Sequence, residues 1–388
     1  MDYNRFFMKL PTPDSIALKH SAQLTQQIHQ IISSSGGSID FARFMALALY
    51  TPGLGYYSAG THKLGKSGDF VTAPEISPLF AKCIARQCND ILTELKTGDI
   101  LEFGAGSGIF AKDLLLELEK LNNLPMHYYI LEISAELRER QQKLLQTTCP
   151  HLLARIQWLD TLPIEFRGIV FANEVMDALP AHCFRIEKAG IQERSVASID
   201  NHFQWHLTPP SKELQARIEP LSLTEGYESE ANLMLGGWIR SIADMLKQGV
   251  VLLIDYGYGQ AEYYHPDRSQ GTLQCYYQHH RHDDPFILVG LQDISAHVDF
   301  TVVVENAHEA GLELAGFTTQ TSFLLACGLL EFAQQITGTD AEQFQQAQAI
   351  KKLTMPSQMG EAIKVMGLCK NMLSPLVGFS LHDRQRML

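Results

Sequence analysis

Asp99-Ile-Leu-Glu-Phe-Gly-Ala-Gly-Ser-Gly108 is the stretch on which the fold of this chain turns. Leu101 and Phe103 close a run that reads as a buried strand, and three glycines at alternate positions then lead straight into an apolar-periodic run over 109–121. Strand, glycine loop and helix in that order make a nucleotide-type binding turn. The spacing selects among nucleotides. A dinucleotide fingerprint places Gly or Ala three positions after its second glycine, where this chain has Ile109. Its third glycine, Gly108, comes one place early, and Glu102 stands two residues before Gly104. The resulting Glu-x-Gly-x-Gly-x-Gly puts a carboxylate where a pyrophosphate would be repelled. It suits a ligand that carries a sulfonium and an ammonium and no phosphate. The stretch therefore points to S-adenosylmethionine (SAM), with Glu102, Gly104, Ala105, Gly106 and Gly108 on the cofactor side. The alternative is a glycine-rich strand–helix turn that serves packing in another α/β protein.

Outward from this turn the pattern alternates: strand 100–103, helix 109–121, strand 128–131, helix 135–145, a short strand 155–159 and strand 169–172. Such alternation predicts a mostly parallel sheet with crossover helices, and a ligand at the carboxyl ends of the strands. Each of those ends is polar. Glu132, 28 residues after Gly104, can accept hydrogen bonds from both ribose hydroxyls, or else cap the helix beginning near Ser134. Trp158-Leu-Asp160 offers an aromatic face and an acid for adenine, with a buried core Trp as the alternative. The fourth strand ends in Asn173-Glu174-Val-Met-Asp177-Ala-Leu-Pro180, which reads either as an acceptor-side acid cluster or as a helix N-cap with acids in its first turn.

From Phe184 the period changes to that of strands, over 184–187, 192–199 and 203–207. An antiparallel ribbon is thus inserted between the fourth and fifth parallel strands, overhanging the active-site edge. A helix over 233–246 leads to Val250-Val-Leu-Leu-Ile-Asp255, the most apolar strand of the sheet. Asp255 faces the same crevice as a substrate-side carboxylate or fixes the turn that follows it. Tyr256 and Tyr258 would supply an aromatic wall. A helix over 300–310, a strand over 318–323 and helices through 353 complete the chain, and no internal repeat is evident. Upstream, helices are expected over 15–33 and 41–50. The segment Lys66-Ser-Gly-Asp-Phe-Val-Thr-Ala-Pro-Glu-Ile-Ser-Pro is either a Pro-broken surface loop or a lid that brings Phe70, Thr72 and Glu75 to the pocket.

At 388 residues, 45% hydrophobic and 19% charged, the chain has the makings of a globular protein with two domains or one domain with large insertions. Lys+Arg of 31 against Asp+Glu of 43 gives −12, which disfavours a phosphate-tracking surface and hence nucleic acid. The seven cysteines are scattered and odd in number, without a C-x-x-C pair, so neither a disulfide framework nor a zinc site is expected, and a reducing compartment is. No signal h-region and no apolar run of membrane length is present, which makes the cytoplasm the expected location. His279, His280, His282 and Asp283 are ligand types, but neighbouring positions rarely converge on one ion, so no metal is expected. His297 and Asp299 read as structural or substrate-contacting residues.

Five motifs in order resemble the MidA-like family of class I SAM-dependent methyltransferases: Gly68-Asp-Phe-Val-Thr-Ala-Pro-Glu-Ile-Ser-Pro, Glu102-Phe-Gly-Ala-Gly-Ser-Gly, Asn173-Glu-Val-Met-Asp-Ala-Leu-Pro, Ile254-Asp-Tyr-Gly-Tyr-Gly and Asp293-Ile-Ser-Ala-His-Val-Asp-Phe. The resemblance covers residues 28–370. It implies an α/β fold of the class I (Rossmann-like) type, with an N-terminal helical lid region over 1–95, the methyltransferase domain over 96–180 and 249–388, and a substrate-recognition insertion over 181–248. It implies SAM as cofactor, bound by Glu102, Gly104, Ala105, Gly106, Gly108, Glu132, Asp160, Phe70 and Thr72. Mitochondrial members of the family are implicated in arginine methylation of a respiratory complex I subunit, so by analogy the acceptor is a protein arginine.

Guanidinium is a poor, permanently protonated nucleophile. An enzyme that methylates it needs carboxylates that grip one side, concentrate charge there and leave the opposite nitrogen to attack. Glu174 is the expected clamp or base, with Asp177 in support, Asn173 orienting substrate or cofactor, and Asp255 as a further substrate-side acid. A protein substrate and at most a second copy of the chain in a homodimer are the expected partners, with no membrane. The competing functions are a SAM-binding assembly factor or scaffold without turnover, and a methyltransferase acting on a small molecule or tRNA.

Overall fold

Strand Val250-Val-Leu-Leu-Ile254 has no polar residue because both of its faces are covered. Val250, Leu252 and Ile254 pack on one side with Phe80, Ile84 and Leu114, while Val251 and Leu253 pack on the other with Leu235, Ile239 and Val303. Its parallel neighbours split the same way: Ile100, Ile169 and Phe171 face the first layer, and Leu101, Val170 and Ala172 the second. The computed structural model describes residues 10–59, 71–335 and 338–388. Its central sheet takes a first strand Asp99–Phe103, a second Tyr128–Leu131, a third Ile156–Leu159, a fourth Phe166–Asn173, a fifth Leu246–Tyr258, a sixth Glu313–Thr319 and a seventh Ile363–Lys370. These lie in the order third, second, first, fourth, fifth, seventh, sixth, and the seventh is antiparallel to both of its neighbours. Strand order therefore reverses between the first and fourth strands, which run parallel from Asp99↔Gly168 to Phe103↔Ala172. Their carboxyl ends open the crevice that such folds use for ligands.

Two expectations change at the C-terminal side. The segment read as a strand over 318–323 is the end of strand Glu313–Thr319 followed by helix Gln320–Ala326, because the Thr319 hydroxyl accepts the Ser322 N–H and starts a helix there. The seventh strand was not anticipated, since Lys364 and Gly367 interrupt its apolar pattern. Lys364 is nonetheless buried, and pairing from Gly249↔Lys370 to Tyr256↔Ile363 covers most of one edge of the fifth strand.

The insertion forms a second sheet of strands His182–Glu187, Gly190–Ile199, His202–Thr208 and Glu228–Ala231, all antiparallel. Ser38 and Ile39 join it against Ala197 and Val196. Helices Ser15–Ser34 and Phe41–Tyr50 lie over this sheet, and Leu24, Ile28, Phe41 and Phe44 share one core with Val196 and Phe203. Helix Pro78–Leu95 packs instead under the central sheet through Phe80, Ile84 and Leu92. The N-terminal part that is built into the insertion is thus residues 10–59 rather than 1–95, since Ala73 and Ile76 already pack with the main-sheet core. Strands Gln274–Tyr277, His280–His282 and Asp293–Ser295 make a third, small sheet beside the crevice. Among the described residues no helix is long and apolar enough to cross a membrane.

Candidate active site

Two cavities meet at the carboxyl ends of the first, fourth and fifth strands. The first, of about 410 Å³, is lined by the glycine loop through Gly104, Ala105, Gly106 and Ser107. Gly104, Gly106 and Gly108 have φ of 60°, 54° and 83°, a left-handed run that only glycine adopts without strain and that bares the backbone to a ligand. Gly108 itself is not in the lining. It caps helix Ile109–Lys120, and a Cβ there would lie 3.3 Å from Gln141. Thr72 and Glu75 do line the cavity, and the Ser107 hydroxyl donates to the Glu75 carboxylate. Phe70 lies outside the described residues.

Glu102 is 3% exposed and faces this cavity, with the Tyr128 hydroxyl donating to its Oε2 at 2.7 Å. Burial pushes its carboxyl up to about 8, against the Tyr128 hydrogen bond. Glu132 accepts the Ser134 N–H at 2.9 Å and Gln141 Nε2 at 3.0 Å. Gln141 also donates to the Gly106 carbonyl and accepts Trp158 Nε1, both at 2.9 Å. Trp158 is thereby a support for Gln141 and not a wall of the cavity. Asp160 does not reach the cavity either. Its side chain is 86% exposed and ion-paired with Arg138 at 2.9 Å, because the third strand is the edge of the sheet and its end turns to solvent.

Among the described residues the lining contains four carboxylates, Glu75, Glu102, Glu132 and Glu174, and neither Lys nor Arg. A pyrophosphate would meet only repulsion there, and a sulfonium with an ammonium would be held. Asn173 adds a buried Oδ1 that has no hydrogen-bond partner among the described residues, an acceptor available to a ligand donor. Leu137, Leu162 and Trp238 make the remaining wall apolar, as a purine requires. The residues present therefore fit SAM.

The second cavity, of about 570 Å³, shares Glu174 and Tyr57 with the first. Asp177, Asp293, Tyr256, Tyr258 and Tyr276 also line it. No helix follows Asn173, so the N-cap alternative falls. Glu174 instead takes φ 53°, a left-handed conformation unusual outside glycine, and its Oε1 accepts Asn173 Nδ2 at 3.1 Å and the Ala73 N–H at 3.3 Å. Burial and the charges of Asp255 and Asp293 push its carboxyl up to about 8. Asp177 is raised well above the usual carboxylate range by burial and by Asp255, Asp293 and Glu174.

Asp255 lines neither cavity. It is fully buried beneath the loop after the fourth strand, where Oδ2 accepts the N–H groups of Val175 at 3.1 Å, Met176 at 2.8 Å and Asp177 at 3.3 Å, and Oδ1 accepts that of Tyr256 at 2.8 Å. The expected substrate-side acid is thus the residue that holds Glu174 and Asp177 in place. The same loop is tied down by the Tyr50 hydroxyl on the Ala178 carbonyl at 2.7 Å and by Asn232 on that of Leu179 at 3.0 Å.

Tyr50, Tyr57 and Asp293 belong to the site although no single pattern in the sequence marked them as members. Tyr57 donates to Asp293 Oδ1 at 2.8 Å, and its ring stacks on Tyr50 at 5.7 Å. Asp293 opens one of the five motifs, and Tyr57 lies in the Gly- and Tyr-rich turn after helix Phe41–Tyr50, which were the available signals. Asp299 stays structural, starting helix Phe300–Glu309 and pairing with Arg217 at 2.7 Å. His297 lines the second cavity.

Comparison with known proteins follows the same lines. The profile of a family described as "Putative S-adenosyl-L-methionine-dependent methyltransferase" matches residues 83–318. A crystal structure of a Burkholderia thailandensis protein bound to S-adenosyl-homocysteine superposes with a TM-score of 0.95 at 40% identity, covering 98% of this chain and 100% of that one. The protein arginine methyltransferase NDUFAF7 homolog, mitochondrial, of Drosophila melanogaster is 26% identical over 95% of this chain and 91% of its own length. The human protein arginine methyltransferase NDUFAF7, mitochondrial, is 26% identical over 86% of this chain and 80% of its own.

Proposed function

Because the chain belongs to this family of SAM-dependent methyltransferases, we propose that its acceptor is the guanidinium of an arginine in a protein substrate. The observation that carries the reading is the second cavity, where Glu174, Asp177 and Asp293 converge beside the junction with the SAM cavity. Carboxylates gathered in a buried space favour a positively charged ligand, and a guanidinium offers them its charge with several donors in a plane. Relatives named as arginine methyltransferases support the same acceptor.

Glu102 and the Asn173 Oδ1 would hold the ammonium end of SAM, Glu132 its ribose hydroxyls, and Gly104 and Gly106 would let it lie against the backbone. Bound there, SAM supplies a methyl carbon activated by its sulfonium. The protein's part is alignment and charge. Glu174, at the junction, grips the near edge of the guanidinium and takes its proton, a task suited to a carboxyl raised to about 8. Asp177 and Asp293 fix the far edge, so that the free nitrogen points along the line of displacement. Tyr57, half-buried at the junction, narrows the access of water there and keeps Asp293 in place. The N-terminal region and the insertion over 181–248 act as one acceptor-side unit. We place the protein in the cytoplasm, a reading supported by seven free thiols that suit a reducing compartment.

Incubation with methyl-labelled SAM and a cell lysate, followed by mapping of the label, tests the assignment. Label on protein arginine is expected. Label on RNA or a small molecule refutes the acceptor, and SAM binding by calorimetry without any labelled product returns the protein to a scaffold role.

A further inference from the structure

Helix Ala135–Thr148 turns Leu137, Gln141 and Leu145 inward at four-residue spacing, so an amide is buried where the helix otherwise holds leucine. Gln141 is fully buried, and a buried amide costs stability unless its donors and its acceptor are engaged. All of them are. Nε2 donates to the Gly106 carbonyl at 2.9 Å and to Glu132 Oε2 at 3.0 Å, and Oε1 accepts Trp158 Nε1 at 2.9 Å. The indole N–H can only donate, whereas a carbonyl and a carboxylate can only accept, so the three partners select one orientation of the amide. Trp158 reaches it through strand register. It pairs with Ile130 on the neighbouring strand, and both share a core with Leu145 of the helix.

Gln141 does not line the cofactor cavity, but two of its partners do. Gly106 follows the first strand and Glu132 the second, and the amide bridges them directly. The other Glu132 oxygen accepts the Ser134 N–H at 2.9 Å. Burial pushes the Glu132 carboxyl up, and the donors of Ser134 and Gln141 draw it back towards the ionised form. A carboxylate held in this way keeps lone pairs for a ligand.

We propose, building on the assignment of Glu132 to the ribose, that Gln141 is a positioning residue of cofactor recognition, with Trp158 fixing its amide, and that the pair makes the site selective for a ribose bearing its hydroxyl groups. The amide holds Glu132 against the glycine loop before the cofactor arrives, so the hydroxyls meet a carboxylate already in place. The two bonds of the amide have separable effects. Its hold on the Gly106 carbonyl shapes the loop for every ligand that enters. Its hold on Glu132 acts only on ligands that carry the hydroxyls.

The test is calorimetry on the full-length protein with S-adenosyl-homocysteine and its 2′-deoxy and 3′-deoxy forms. The wild type should bind at least one deoxy form roughly 10- to 100-fold more weakly, as expected for a hydrogen bond to a charged group. Gln141→Leu, which matches Leu137 and Leu145, should weaken S-adenosyl-homocysteine by about tenfold and shrink the deoxy penalty to about threefold or less. Trp158→Phe keeps a ring and loses the donor that orients the amide, and it should cut the penalty by about threefold or more. A variant that merely loosened the site would weaken all three ligands alike and leave the penalty at its wild-type value. Where Gln141→Leu does not unfold cooperatively in urea, Trp158→Phe decides. A penalty retained by folded Gln141→Leu overturns this inference and leaves Glu132 on the ribose, and one retained by Trp158→Phe alone overturns the orienting role of the indole. Equal binding of all three ligands by the wild type overturns the placement of Glu132 and this inference with it.

Discussion

Replacing Asp255 by Asn separates support from chemistry. The carboxylate accepts four backbone N–H groups, three on Oδ2 and one on Oδ1. The amide keeps one acceptor oxygen, which the three N–H groups of 175–177 will claim, and turns its NH₂ against the Tyr256 N–H. One charge-assisted bond is lost and one buried donor is left unsatisfied, a cost of about 1.5–3 kcal/mol. A smaller gain opposes it, since Asp255 is the leading charge that raises both Glu174 and Asp177. Urea unfolding at pH 7 should therefore show a net loss of about 1–3 kcal/mol, with the transition still cooperative. Removing that negative neighbour lets Glu174 and Asp177 ionise at lower pH, so the acid limb of the kcat profile should move to lower pH while the affinity for SAM stays within a few-fold. Unchanged stability together with a loss of turnover beyond about 100-fold would place Asp255 on the acceptor and refute the support role. An acid limb that does not move would refute the link between Asp255 and the ionisation of Glu174.

Glu174→Gln should lower kcat by about 100-fold or more with little change in SAM affinity, and activity within a few-fold of wild type would remove Glu174 from the clamp. Glu132→Ala should weaken SAM by roughly 10- to 100-fold in calorimetry, the worth of one or two hydrogen bonds to a charged acceptor, and unchanged binding would exclude it from the ribose side. Tyr57→Phe should lower kcat by about tenfold and spare SAM affinity, because Asp293 loses the donor 2.8 Å away and the ring remains. Ligand-free protein should melt at lower temperature as pH rises from 5 to 8, because Glu102 and Glu174 have folded values of about 8 against an ordinary 4.5. A carboxyl raised on folding gives its full stabilisation below the unfolded value, and that stabilisation is lost as pH climbs through the folded one. Thermal scans of Glu174→Gln should show a shallower decline, and an identical slope would sink the assignment.

The donor half of this site was legible because its residues lie in consecutive strand ends. Glu102, Gly104, Gly106 and Glu132 lie at or just after the ends of two adjacent parallel strands, and the strand–helix alternation that makes the strands parallel brings those ends to one edge. Asp160 was misplaced because an acid at an edge-strand end looks the same in sequence as one at an interior strand end. The seventh strand escaped because burial of Lys364 depends on the Tyr258 ring 5.2 Å away, a contact between distant segments.

The acceptor half is built on such distant contacts throughout. Tyr57 comes from the N-terminal region, Glu174 and Asp177 from the loop before the insertion, Asp293 from the small third sheet, and Asp255 from the central strand that locks the loop beneath them. Each acid taken alone has a local explanation as a cap, a turn former or a solvated charge, and at Asp255 the local explanation is close to the truth. Only the convergence of Glu174, Asp177 and Asp293 on one buried space gives them a shared cost, in which burial first, and then the charges of Asp255, Asp293 and Glu174, lift Asp177 well above the usual carboxylate range. A cluster with that cost and no catalytic use would be relieved by a single neutral substitution, so Asp177→Asn should raise the melting temperature of the ligand-free protein while lowering turnover. A variant more stable and equally active would show that the acids are packed together without serving the acceptor. A variant more stable and about 10- to 100-fold slower would show that the repulsion is retained for the cation it receives.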